Sequence, residues 1–334
     1  MIPCLKRLPV ICVNNHTIVA GVRAASSSCG TGQTGNVMNV FDRQAKRMQR
    51  ERAARSPESG SACYLKDEIG ERLADRVLDI NRTFKTAIDL GCGLGHVSRH
   101  LTSDTVEKVI MCDSSSAVLE AAQTPADVPH DKLVADEEAL PFDEASADLV
   151  LSSLSLHWVN QLPTAFQQIH RTLKKDGVFL GAVFGAETLY ELRGSLQLAE
   201  IEREGGFAAH ISPFTQVSDI GRLMSRAGFT MLTIDTDEIR VGYPSMFELM
   251  SDLQAMGENN ACWIRKAHLH RETMLAASAI YRELYGNEDG SIPATFHIIY
   301  MIGWKADASQ PQPLQPATPQ VSLKDIYRLE DIAK

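Results

Sequence analysis

Between residues 64 and 80 the apolar side chains fall at Leu65, Ile69, Leu73, Val77 and Ile80, the spacing of an amphipathic helix laid on a sheet. Beyond it, short apolar runs alternate with helical stretches. The pattern predicts strands over 86–90, 108–112, 133–134, 147–152 and 178–184. Between them it predicts helical segments from His96 to about Leu101, over 116–122, and over 162–173 with a stop at Lys174-Lys175-Asp176-Gly177. The strands are near-continuously apolar, as in a sheet covered on both faces. Strands separated by helices predict right-handed crossovers and parallel pairing. The remaining chain predicts helices over 188–203, 217–227, about 245–256 and 266–284, and a sixth strand over 229–241. A seventh strand, 296–304, is expected to close the sheet as an antiparallel edge. The fold class is α/β, a Rossmann-like seven-stranded sheet with helical additions. Its core spans 84–184, its additions 185–295, and the whole domain 36–305. Residues 306–334 begin Pro/Gln-rich and read as a flexible tail.

The first strand feeds Asp89-Leu90-Gly91-Cys92-Gly93-Leu94-Gly95, a loop with glycine at every second position. A following helix start would aim free N–H groups at an anionic ligand. A dinucleotide fingerprint sets its third glycine three residues after the second, whereas here the interval is two, so the spacing argues against NAD. The D-x-G-x-G-x-G pattern resembles that of class I S-adenosylmethionine (SAM) methyltransferases, which implies that Asp89 and the backbone of Gly91, Cys92, Gly93 and Gly95 hold the amino-acid end of SAM. Asp113 ends the second strand, twenty-two residues after Gly91. Its two oxygens match a ribose diol, although a helix N-cap would use the same residue. Asp136 and Glu137 end the third strand on the same side of the sheet, where open α/β sheets bind ligands. The same resemblance gives them the adenine amino group; otherwise they form a solvated acidic turn. Ser114 and Ser153, beside the second and fourth strand ends, complete the candidate cofactor contacts.

Composition narrows the class. A formal charge of −9 argues against nucleic acid as a general partner. Seven scattered cysteines without a C-x-x-C pair predict neither a zinc site nor a disulfide framework. No apolar run approaches the ~20 residues of a membrane-spanning helix. Residues 1–41 contain no acid but carry Lys6, Arg7, Arg23 and a run of three serines. That composition suits a mitochondrial transit peptide over 1–35, cleaved after Arg23, or an acid-free tail. The basic run 43–55 is a solvated helix face, or a clamp on an acidic partner or anionic lipid.

Candidate chemistry clusters beyond the fourth and fifth strands. His157 and Trp158 stand where cofactor and substrate would meet, His157 as a polar contact or as packing. Glu187, Tyr190 and Arg193 line the same mouth, and His157, Glu187 and Tyr190 are the catalytic candidates. An acidic rim of Asp136, Glu137, Glu138, Asp143, Glu144, Glu187 and Glu191 would suit a guanidinium, which prefers paired carboxylates. His268 and His270 are two apart, hence on different faces of a helix, so no metal site is expected.

Four stretches point to a narrower kinship: Asn39 to Arg43, Val150 to Asn160, Leu198 to Phe207, and Tyr285 to Ser291. Together they resemble the mitochondrial complex I assembly factor 5 family, with biotin-pathway malonyl-carrier-protein methyltransferases sharing the segment after strand 4. The resemblance spans roughly Asn39 to Lys305. It implies SAM binding, a peripheral position on the matrix face of the inner membrane, and hydroxylation of an arginine in a quinone-site subunit of NADH:ubiquinone oxidoreductase during early assembly. It also implies an oxygen-activating group, iron or another, for which the residues offer no motif. Methyl transfer to a protein or carboxyl substrate, and a non-catalytic SAM-binding chaperone, are the other classes the residues allow.

Overall fold

The computed structural model describes residues 39–57, 59–266 and 268–311. The expected transit peptide and most of the carboxy-terminal tail lie outside them. Helix α1 (Arg43–Arg55) is capped by Asp42, whose Oδ1 accepts the Ala45 N–H at 2.9 Å. After α2 (Ser59–Ala62), α3 (Tyr64–Leu78) lays Leu65, Ile69, Leu73 and Val77 against the sheet, as the spacing requires. Then follow β1 (Ala87–Leu90), β2 (Val109–Asp113), α4 (Ser116–Ala121), β3 (His130–Val134), β4 (Ala147–Ser153), α5 (Leu162–Thr172) and β5 (Leu173–Phe184). The chain continues as α6 (Tyr190–Glu204), α7 (Val217–Ala227), β6 (Phe229–Tyr243), α8 (Met246–Ala255), α9 (Arg271–Tyr285) and β7 (Ile292–Lys305).

The seven strands form one sheet in the order β3-β2-β1-β4-β5-β7-β6, parallel through the first five. One apolar layer, from α3, α6, α8 and α9, covers one face; α5 and α7 cover the other. The last strand does not close the sheet. β7 runs antiparallel between β5 and β6, and β6 is the edge. The reason lies in the side chains: β7 is buried along most of its length, whereas β6 alternates and exposes Asp235 and Glu238. Charge on an outer strand blocks pairing with another chain.

Three local expectations also give way. Residues 96–101 form turns and one 3₁₀ turn (Ser98–His100) in place of a helix, so no helix N-terminus follows the glycine loop. Gly91, Gly93 and Gly95 all have φ above +50°, which turns the backbone away from a helical path. The stop at 174–177 is instead the start of β5, with Asp176 at φ 58° and a register shift opposite Ala147 and Leu149. Finally, α9 begins at Arg271, and His268 and His270 precede it outside the helix.

Candidate functional site

The carboxyl ends of β1, β2, β3 and β4 bring most of the expected cofactor residues together. Asp89 is fully buried and its Oδ2 accepts the Ser98 hydroxyl at 2.6 Å, while Oδ1 has no partner among the described residues. Burial pushes its carboxyl up to about 6, against the pull of the Ser98 hydrogen bonds. The loop above it folds tightly. A Cβ on Gly91 would lie 2.1 Å from the Ser155 Oγ, and one on Gly95 would lie 2.1 Å from the backbone oxygen of Gln123. Asp113 accepts the backbone N–H of Ser115 at 3.0 Å and of Gly93 at 3.3 Å, so it both ties down the loop and starts the turn into α4. Cys92 is buried, its N–H bonded to the Cys112 carbonyl. Ser114 stands beside Asp113, and the Ser153 hydroxyl is buried with no partner among the described residues.

The basic helix closes this crevice. Arg43, Lys46 and Arg50 recur at helical spacing and turn inward. Arg50 is 9% exposed, with its guanidinium 3.2 Å from the Ser155 Oγ, 3.4 Å from Glu137 and 4.0 Å from Asp113. Arg43 pairs with Glu137 and, at 2.7 Å, with Asp136. Burial alone would raise the Glu137 carboxyl, but the two guanidinium groups outweigh it and hold it down at about 2. Burial raises Asp113, and Arg50 only partly offsets this. The run 43–55 is therefore not a wholly solvated face: two arginines of its inner side bind the crevice's own carboxylates, and Arg47, Arg52 and Arg55 face out.

About 40 Å³ remains open between Arg50, Gly91, Gly93 and Ser153, well short of the few hundred that a nucleoside ligand fills. The residues nevertheless fit SAM. The orphaned Asp89 oxygen can accept from its ammonium, the unpartnered Ser153 hydroxyl can donate to its carboxylate, and Asp113 and Glu137 stand at the strand ends beside which a nucleoside would lie.

A second, larger cavity of about 300 Å³ adjoins the first. Trp158, Phe184, Phe214, Phe296, Leu192 and Leu196 form its apolar walls. Glu258, which the sequence did not single out, lines it from the loop after α8. Its Oε2 accepts the Trp158 indole N–H at 2.8 Å, and Lys66 Nζ lies 2.6 Å from Oε1. Lys66 lines the first cavity, so this ion pair is the partition between the two. Lys46, 2% exposed, donates to the carbonyls of Gly257 and Asn259 and lies over the Trp158 ring at 3.4 Å. Burial drives its ammonium well below its ordinary value.

The catalytic candidates divide. His157 is enclosed by Trp158, Phe184 and Phe214, with ring centroids 4.8 to 5.4 Å away. Burial lowers it to about 4, and neither ring nitrogen has a hydrogen bond among the described residues. Glu187 and Tyr190 are exposed, and Arg193 turns back onto the carbonyls of Ala186 and Thr188. The expected acidic rim does not converge. Glu191 is buried against Thr295. Glu138 accepts the Asn160 N–H. Asp143 and Glu144 precede β4 and so lie at the opposite, amino edge of the sheet.

Comparison with known proteins follows this geometry. Residues 88–181 match the model of a methyltransferase domain. The chain is 58% identical over 308 residues to the rat protein named "Arginine-hydroxylase NDUFAF5, mitochondrial", covering 92% of this chain and 90% of that one. It is 52% identical over 331 residues to the human protein of the same name, covering 99% and 94%. A malonyl-[acyl-carrier protein] O-methyltransferase of Halorhodospira halophila is 33% identical over 244 residues, covering 72% of this chain and 81% of that one.

Proposed function

The chain belongs to the mitochondrial arginine-hydroxylase family of those vertebrate relatives, and from that premise we propose that it hydroxylates an arginine in a quinone-site subunit of NADH:ubiquinone oxidoreductase during early assembly. Identity above one half along nearly the whole chain is the observation that carries this reading. The matching stretches include both the crevice loop and the segment after β4. We place the protein in the mitochondrial matrix, peripheral to the inner membrane, and give it SAM as its nucleoside ligand.

The chain's residues account for binding and positioning. Asp89 takes the ligand's ammonium, the Gly93 backbone leaves room for its approach, and Asp113 and Glu137 meet the ribose and adenine. SAM, when bound, carries an electrophilic sulfonium centre. Trp158, Phe184 and Phe214 keep water from the adjoining cavity, where the C–H bond to be converted to C–OH would lie.

Methyl transfer is the second reading, favoured by the methyltransferase-domain match over residues 88–181. Mass analysis of the complex I target, with and without this protein, separates the two. A gain of 16 mass units on an arginine supports hydroxylation, a gain of 14 supports methylation, and no gain supports a scaffold.

Asp89 gives the cofactor assignment its own test. Its carboxyl must be ionised to receive an ammonium, and burial holds it protonated up to about pH 6. SAM affinity should therefore fall about tenfold per pH unit below 6 and level off above it. In Asp89→Asn titration calorimetry should show a weak, pH-independent affinity; a flat profile in the wild type would remove Asp89 from the site.

A further inference from the structure

The geometry points to Glu258 as the acceptor of the substrate's guanidinium, in the 300 Å³ cavity walled by Trp158, Phe184, Phe214, Phe296, Leu192 and Leu196. This assignment rests on the arginine-hydroxylase reading and names the binding site for its substrate side chain. Three observations carry it. Glu258 is the one carboxylate among the described residues lining this cavity. Its side chain is 4% exposed and ionised: burial alone would raise its carboxyl, but Lys66, His157 and Lys46 hold it well below the ordinary range. Four aromatic rings, Trp158, Phe184, Phe214 and Phe296, stand in the same wall among polar and aliphatic side chains.

An ionised carboxylate in a cavity that also presents four aromatic rings suits a cation on an aliphatic stem. Arginine suits it better than lysine because a flat guanidinium stacks on ring faces and donates through a fork. The acceptor has capacity to spare. A carboxylate offers about four lone-pair positions, and the Trp158 indole and Lys66 take two. The two cations that line the cavity are already paired: Arg265 with Asp42 at 3.0 Å, and Lys266 with Glu200 and Glu204. Because the Glu258–Lys66 pair forms the wall of the cofactor crevice, a side chain anchored there lies next to the cofactor. The residues expected to form an acidic rim do not compete for it, since Glu137 is held by Arg43 and Arg50.

Calorimetric titration of the full-length protein with acetyl-Gly-Arg-Gly amide and acetyl-Gly-Met-Gly amide reads this site directly. The arginine peptide should bind about tenfold more tightly, the difference one charge-assisted hydrogen bond makes. Glu258→Gln should bring the two affinities together. Leu196→Trp, which fills the cavity without touching the carboxylate, should weaken the arginine peptide at least tenfold and decides the matter if Glu258→Gln does not fold. Equal wild-type affinities, a preference undiminished in Glu258→Gln, or wild-type affinity in Leu196→Trp would each overturn the assignment. The hydroxylase reading stands or falls separately, on the 16-unit gain in the complex I target. That gain together with equal peptide affinities would remove Glu258 from its role and keep the activity.

Discussion

Gly95→Ala is expected to cost about 3 kcal/mol of stability or more and to abolish SAM binding. Gly95 has φ +83°, and a left-handed conformation costs an L-residue about 1–2 kcal/mol. The added methyl would also stand 2.1 Å from the carbonyl oxygen of Gln123. That atom is backbone and cannot rotate aside. It belongs to the chain leaving α4, whose Gln123 N–H bonds to the Leu94 carbonyl at 2.9 Å. Relief therefore means separating the glycine loop from the segment it rests on, and the loop's hold on Asp113 goes with it. Urea midpoints give the loss. Gly206→Ala is the control: a Cβ there meets nothing within 4 Å, so its change should stay within about 0.5 kcal/mol. Equal midpoints for the two variants would show that the loop yields more easily than this geometry allows.

Arg50→Met should destabilise the cofactor-free protein by about 3 kcal/mol near neutral pH, because it leaves buried carboxylates with one cation fewer. The pH dependence identifies the cause. In the wild type Glu137 is held at about 2, below its ordinary 4.5. Its ionised form thus stabilises the fold above pH 4.5, and that support is lost as the pH falls from 4.5 towards 2. Without Arg50, Glu137 and Asp113 take up protons at higher pH, so acidification relieves the variant while it weakens the wild type. Thermal midpoints of the two should converge between pH 7 and 4. SAM should bind the variant more tightly, since no guanidinium has to leave the crevice first. Weaker binding would mean that Arg50 is a ligand of the cofactor rather than its competitor.

The parallel half of the fold was legible because burial on both faces writes itself into the chain as unbroken apolar runs. Leu149 to Leu151 and Val178 to Leu180 could hardly sit elsewhere than in central strands. The glycine spacing and Asp113 located the crevice for a similar reason, since few residue types tolerate that loop. The order of the last two strands was also written in the sequence, in the alternation of β6 against the continuity of β7, but chain order suggested the wrong edge. Helix α1 was misread because a cluster of charges normally faces water. What sets it apart is that Arg43, Lys46 and Arg50 share one face, while the carboxylate partners of the two arginines are 63 to 94 positions away. Glu258 was beyond reach for the same reason. It is a single acid in a loop, and it gains meaning only when Lys66, Trp158 and His157 are folded around it.

One helix borders both chambers: Arg50 of α1 faces the crevice and Gln49 faces the adjoining cavity. Shifting it to admit SAM would therefore reshape a wall of the second chamber as well. Linkage makes any such coupling mutual, each ligand changing the other's hold by an identical factor.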